Sequence, residues 1–206
     1  MAPCPLLGLP DELLTYIVEL AGKREGPSLT LVCKRLRGIY FSVPSFWQEL
    51  KVLLPKRRTS TAESQHWADA WLSLLQRVAG MVEALCVKYG SELARTVSAG
   101  MTARFLRCLA PAAATEVRLQ GFNDSALPTD AVASLAALTQ LQRLHLSSSE
   151  LPANTASTLC QVSSSLRSLL LEVYSTPLPL VEVLPQLTQL TCLELRSKLP
   201  LPRCDW

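Results

Sequence analysis

The chain has 206 residues, 49% of them hydrophobic and 18% charged, with a formal net charge of +3 at pH 7. That length suffices for one or two domains with real cores, and the composition excludes wholesale disorder. The small net charge gives no footprint of a nucleic-acid binder, and no uncharged run reaches the ~20 apolar residues of a membrane span. The seven cysteines, Cys4, Cys33, Cys86, Cys108, Cys160, Cys192 and Cys204, are odd in number and scattered, without a CxxC pair. This pattern predicts reduced thiols in an intracellular protein, cytoplasmic or nuclear, with no disulfide framework and no metal site. Asp11 and Glu12 interrupt any signal-type apolar run, and Cys204 in "RCDW" stands too near the end for a prenylation box.

The first element is "GLPDELLTYIVELAG", residues 8–22. Pro10 suits a first helical turn, Asp11 and Glu12 favour the positive helix end, and Gly22 suits a C-cap. At about 100° per residue, Leu13, Leu14, Ile17, Val18, Leu20 and Ala21 spread over roughly 160°, and Tyr16 widens the arc. That is more apolar surface than one small core can cover, so a partner is implied for the uncovered side. "SLTLVCKRLRGIY" then predicts a second helix, capped by Ser28, with Leu29, Val32, Leu36 and Ile39 on its inner side. Past the breaker Pro44, the residues Phe46, Trp47 and Leu50 form another short apolar set, so residues 9–50 read as two or three short helices.

The run Leu9-Pro10-Asp11-Glu12-Leu13-Leu14, Ile17, Leu20, then Val32-Cys33-Lys34-Arg35, then Phe46-Trp47 and Leu50 resembles an F-box in order and spacing. The sequence departs from that family in having Leu36 where a tryptophan is usual, and "REGPSL" where an Asp-Leu pair is usual. That loop is also about one residue longer than common in the family. The resemblance implies a helical domain over 5–52 that docks on the Skp-type adaptor of a cullin–RING ubiquitin ligase. Carried over position by position, Leu9, Pro10, Leu13, Leu14, Ile17, Leu20, Val32, Cys33 and Trp47 build that domain or its adaptor-facing surface. The motif does not divide them between the two roles.

Residues 53–80 read as a junction and a capping helix. Lys56-Arg57-Arg58 read as a solvated linker, and Ser60 to Glu63 have capping-box spacing. The helix they open carries Trp67, Trp71, Leu74, Leu75 and Val78 on one face. From 81 to 206 the pattern L-x-x-L-x-L recurs: Val82-Leu85-Val87, Ala114-Val117-Leu119, Leu141-Leu144-Leu146, Leu166-Leu169-Leu171 and Leu190-Leu193-Leu195. The starts are 32, 27, 25 and 24 residues apart, which resembles leucine-rich repeats. The asparagine or cysteine usual after the hexad is replaced by Gly90, Phe122, Ser149, Tyr174 and Lys198. Helical returns are predicted from Thr129 or Asp130 and, more weakly, over "NTASTLCQVSSSL"; Pro177, Pro179 and Pro185 predict an irregular one. The expected architecture is α plus α/β: a small all-helical F-box, then a short leucine-rich-repeat solenoid of about five units, the last uncapped. Its final strand is expected at an open edge with Leu187, Leu193 and Leu195 partly exposed, as in an abbreviated member, an incomplete product, or a solenoid completed by a partner.

In such a solenoid the residue between the last two hexad positions points outward, giving Cys86, Arg118, His145, Leu170 and Glu194. Flanking rows are Ala84, Glu116, Arg143, Ser168, Cys192 and Lys88, Gln120, Ser147, Glu172, Arg196. Their mixed signs suit a protein target, and the predicted target-binding residues on this concave face are Arg118, Arg143, His145, Leu170, Glu172, Glu194 and Arg196. No phosphate loop, nucleophile elbow or zinc spacing occurs, so neither catalytic residues nor a cofactor are expected. The expectation is a non-catalytic substrate-recognition subunit that holds a protein target on the repeats, with no membrane and no nucleic-acid partner. The alternatives are a non-ligase scaffold built on the same box, and a cysteine hydrolase pairing Cys86 or Cys192 with His145.

Overall fold

The computed structural model describes residues 5–54, 61–89, 95–110, 114–173 and 183–197. Cys4, the junction residues Lys56, Arg57, Arg58 and Ser60, the post-hexad positions Gly90, Tyr174 and Lys198, Pro177, Pro179 and the segment 198–206 with Cys204 lie outside them. The chain divides into two compact units, Met1–Gln48 and Glu49–Trp206.

In the first unit, Asp11 and Glu12 open α1 (Asp11–Leu29), where carboxylates meet the positive end of the helix. The run breaks at Gly22, whose φ of 70° is the left-handed conformation that glycine adopts without penalty. Helix then resumes to Leu29, so Ser28 belongs to α1 and does not cap the second helix. Cys33 does so instead: α2 (Lys34–Ser42) follows it, and the Leu36 N–H donates to Cys33 Sγ at 3.4 Å. Leu14, Val18, Leu36, Ile39, Tyr40, Val43, Phe46 and Trp47 are buried. Gly26 permits the close approach of α1 to α2, since a Cβ there would lie 2.2 Å from Tyr40 Cε2. The Trp47 ring stacks on Phe41 at 5.6 Å, and its indole N–H donates to the Tyr40 carbonyl at 3.4 Å.

At Glu49 the apolar period changes to two. Leu50 and Val52 are buried while Glu49, Lys51 and Leu53 are exposed, and the segment forms strand β1 (Glu49–Leu53). It is followed by α3 (Thr61–Val78), β2 (Ala84–Lys88), α4 (Arg95–Leu109), β3 (Glu116–Ala126), α5 (Thr129–Leu135), β4 (Arg143–Glu150), α6 (Thr155–Gln161), β5 (Ser168–Val173) and β6 (Cys192–Ser197). All strand pairs are parallel, in the order β1-β2-β3-β4-β5-β6. The expected architecture, a small all-helical F-box followed by a leucine-rich-repeat solenoid, is therefore corrected to a mixed α/β fold. Its basis is one six-stranded all-parallel sheet with six α-helices among the described residues. Part of the reason is β1: the segment expected to complete a helical domain alternates in burial and joins the sheet.

Each parallel connection needs a crossover, and crossovers are right-handed. Because the strand order never reverses, every crossover leaves from the same face. The helices accordingly neighbour one another in sequence: α3 with α4, α4 with α5, α5 with α6. Trp67 on α3 meets Phe105 on α4 at 6.4 Å, so the Trp67–Trp71 pair belongs to a packing face. The apolar positions of the first four hexads are buried. The fifth differs: Leu193 and Leu195 are 40% and 52% exposed on edge strand β6, whereas Leu187, expected to be exposed, is buried.

Backbone bonds before the strands fix this register. The Glu83 carbonyl accepts from the N–H groups of Thr115 and Glu116 at 2.8 and 3.0 Å. The same fork recurs from Thr115 to Gln142 and Arg143, from Gln142 to Arg167 and Ser168, and from Arg167 to Thr191 and Cys192. The ladder is interrupted between Leu119 and Phe122, where Gly121 has φ 89° and its missing Cβ would lie 2.3 Å from the Tyr89 carbonyl oxygen. Gly121→Ala is expected to lower stability by roughly 1–3 kcal/mol, from backbone strain and that clash. Gly100→Ala, in α4 with open space at its Cβ, should instead be neutral or stabilising by up to about 1 kcal/mol. Urea midpoints of the two variants check the contrast.

Candidate functional site

Two surfaces hold the residues singled out by the sequence, one on each unit. On the first unit, packing sorts the nine positions of the F-box resemblance. Leu14 and Trp47 are buried, and Leu9, Ile17 and Cys33 are partly covered. Pro10, Leu13, Leu20 and Val32 are exposed, the last three by 50%, 70% and 61%. Along α1 before the kink, Leu14, Val18 and Ala21 lie within about 60° of one another and Leu13, Tyr16, Ile17 and Leu20 within about 100°. The helix thus has two apolar stripes, one in the core and one largely open. Tyr16, exposed by 60%, extends the open one beyond the predicted set, and Leu31, after the end of α1, is exposed by 80%. Arg35 ties the start of α2 to the start of α1, pairing with Asp11 at 2.6 Å and donating to the Leu9 carbonyl at 2.8 Å.

On the second unit the sheet turns its non-leucine positions to an open face. Lys51, Cys86, Arg118, His145, Leu170 and Glu194 stand in register from β1 to β6, flanked by Glu49, Ala84, Glu116, Arg143, Ser168 and Cys192. The seven predicted target-binding residues all lie on this face. Two carboxylates organise it. The Glu116 side chain is only 9% exposed and pairs with Arg118 on its own strand and with Arg143 across on β4. Glu172, 14% exposed, accepts from Arg196 at 3.1 Å, and Arg196 also donates to Glu194 at 2.6 Å. Sequence reasoning put Glu116 and Gln120 in the rows but not in the site. The hint was position: Glu116 and Gln120 flank Arg118 at i±2, hence on one face of a strand.

Between the two clusters sits His145. Gln120 Nε2 lies 3.0 Å from His145 Nδ1, and His145 Nε2 lies 3.5 Å from Glu172 with no hydrogen-bond partner of normal geometry. Burial pushes the imidazole below the ordinary histidine value; Glu172 pulls it up, Arg118 and Arg196 push it down, and burial wins. Glu172 moves the other way. Burial opposes ionisation, yet the Ser147 hydrogen bond, His145 and Arg196 together hold its carboxyl below the usual range. The sheet therefore carries a neutral imidazole beside an ionised carboxylate at neutral pH. An open depression of about 260 Å³ lies here, lined by Glu116, Arg118, Gln120, Arg143, Leu144, His145, Ser168 and Leu170.

The same register keeps cysteine and histidine chemistry apart. Cys86 and His145 are separated by the Arg118 strand, or about 10 Å at a strand spacing near 4.8 Å. Burial also raises the Cys86 thiol, against the activation a nucleophile needs. Cys192 falls in the Arg143 row, two strands from β4. Among the described residues no group of three His, Cys, Asp or Glu side chains is placed to hold a metal ion, and no helix is long and apolar enough to cross a membrane. No known protein-family model matches the chain, and no curated protein matches it.

The depressed His145 has a thermodynamic consequence. The unfolded imidazole titrates near 6.5, above its folded value, so the unfolded state takes up protons first as pH falls. The stability tied to neutral His145 is present above about pH 6.5 and is lost as pH drops through that value towards the folded one. Wild type should lose more stability than His145→Gln between about pH 7.5 and pH 5.5, read as the change in urea midpoint. Equal losses would mean that His145 carries a proton in the folded protein as readily as in the unfolded one.

Proposed function

We propose that the protein is a non-catalytic substrate-recognition subunit of a cullin–RING ubiquitin ligase. In this reading the first unit docks on a Skp-type adaptor and the open face of the sheet holds a protein target. The observation that carries it is the second apolar stripe of α1. Leu13, Tyr16 and Leu20 are exposed beside a complete core, within a segment whose residue order resembles an F-box. Helix surfaces with i, i+4, i+7 anchors are a common way to enter a partner's groove, and Leu13, Ile17 and Leu20 have that spacing. The face of the sheet suits a protein better than a phosphate backbone, because its cations are interspersed with carboxylates that pair with them and do not form one basic row. Bound to both, the subunit would raise the local concentration of target lysines near the charged conjugating enzyme, a proximity effect that needs no catalytic group of its own. Such a complex would work inside the cell, in cytoplasm or nucleus.

The exposed stripe gives a cleaner test than the buried motif positions. A charge at Leu14 would be buried unpaired and cost several kcal/mol of folding stability, confusing loss of binding with loss of structure. Leu13→Glu with Leu20→Glu should leave the thermal midpoint nearly unchanged and weaken binding to a Skp-type adaptor at least about tenfold, or ~1.4 kcal/mol. Arg143→Gln, on the other unit, should leave adaptor affinity unchanged. Adaptor binding that survives the double glutamate variant would remove this reading.

A further inference from the structure

The open face of the sheet is electrostatically divided, and the division defines the chemistry of what it can hold. Arg118 and Arg143 share one carboxylate, Glu116, so this cluster on β3 and β4 carries one positive charge in excess. Each guanidinium has five N–H donors and one carboxylate occupies at most two of them, so donors remain for an incoming oxyanion. Glu116, being nearly buried, holds both groups in place, and pre-placed guanidinium groups bind a carboxylate with little further ordering. On β5 and β6 the count reverses. Glu172 and Glu194 share Arg196, leaving one negative charge in excess, and Glu194 is half exposed. Leu170 stands between them, in register with His145 on one side and Glu194 on the other. It is the apolar member of the predicted face and lines the depression beside Arg143. At a strand spacing near 4.8 Å the two clusters are centred about 10 Å apart.

We infer that this face recognises a protein segment presenting an acidic side chain to the Arg118–Arg143 pair, an apolar side chain to Leu170 and a basic side chain to Glu194. In an extended segment, residues i, i+2 and i+4 share a face and span roughly 13 Å, a span the long arm of lysine or arginine can draw in to 10 Å. The acceptable segment therefore has the pattern acid-x-apolar-x-base, in either chain direction. Two acids, or two bases, place one like charge against an excess of its own sign. The inference rests on the reading that this face, rather than another, captures the target.

The test uses the full chain and fluorescein-labelled peptides with the cores Asp-Gly-Leu-Gly-Lys, Asp-Gly-Leu-Gly-Asp, Lys-Gly-Leu-Gly-Lys and Asp-Gly-Ser-Gly-Lys, read by anisotropy at low salt. The first is expected to bind at least tenfold more tightly than each of the others, and Arg143→Gln should weaken it at least fivefold. Glu194→Lys should invert the order, making the doubly acidic peptide the best ligand. A gain of that kind cannot come from misfolding. Equal binding of all four peptides, binding of none, or an order unchanged by Glu194→Lys would overturn the inference. Adaptor binding is measured separately on the first unit, so failure here leaves the ligase reading standing, and failure there leaves this one standing.

Discussion

The rest of the second unit depends on one constraint: six parallel strands added in chain order without a reversal. A right-handed crossover that always steps to the same side puts every connecting helix on the same face. In sheets whose order reverses, helices cover both faces and a crevice opens at the switch point, which is where ligands usually bind. The order β1 to β6 makes no such crevice. Within the second unit it leaves a broad face on the side away from the connecting helices, and polar or charged residues hold most of the strand positions turned to that side, while leucine and valine fill most of the others. Parallel sheets are usually buried on both sides, so an uncovered one needs its own explanation. Capture of another protein is the explanation that suits a surface of this extent and mixed charge.

The charges on that face are arranged to be tolerated before anything binds. Glu116 and Glu172 are largely shielded from water, and an unpaired carboxylate in such a place would cost several kcal/mol. Each is met by guanidinium groups, Glu116 from its own strand and from β4, Glu172 from β6. The outer members, Arg143, Arg196 and Glu194, are half exposed or more, and pairs of that kind contribute little to net stability. The network is therefore better understood as fixing where charge lies than as holding the sheet together. Holding is done by the leucines beneath and by the forked backbone bonds that set adjacent strands in register.

How much of this could be read from the sequence depends on how local the signal is. The four hexads from Val82 to Leu171 were legible because their apolar residues alternate and recur at intervals that narrow from 32 to 25 residues, and the outward rows follow from that alternation alone. Strand β1 was not: Leu50 continues the spacing of Phe46 and Trp47, so a helical period fits it until Val52 is weighed against Lys51. Nor was α4, where Thr96, Ser98, Gly100 and Thr102 dilute the apolar period, although Met101, Thr102, Ala103, Phe105, Leu106 and Leu109 are buried. Ser28 looked like a cap by residue type, but after the kink at Gly22 the chain resumes its helix, and the thiol of Cys33 caps α2 instead. On the first unit the apolar excess of α1 was visible from composition. Its division into a core stripe with Leu14 and an open stripe with Leu13 and Leu20 required the packing. So did the pairing of Glu116 with Arg143, since partners on neighbouring strands are 27 residues apart in the chain.

The central proposal is that two surfaces on two units each hold their own kind of partner. Hydrogen exchange of the full chain with and without a Skp-type adaptor addresses it most directly. Slowed exchange is expected across 11–21 and around 30–33, with exchange at 116–120 and 143–147 unchanged by the adaptor. Protection spread over the strands, or none in the first helix, would contradict it.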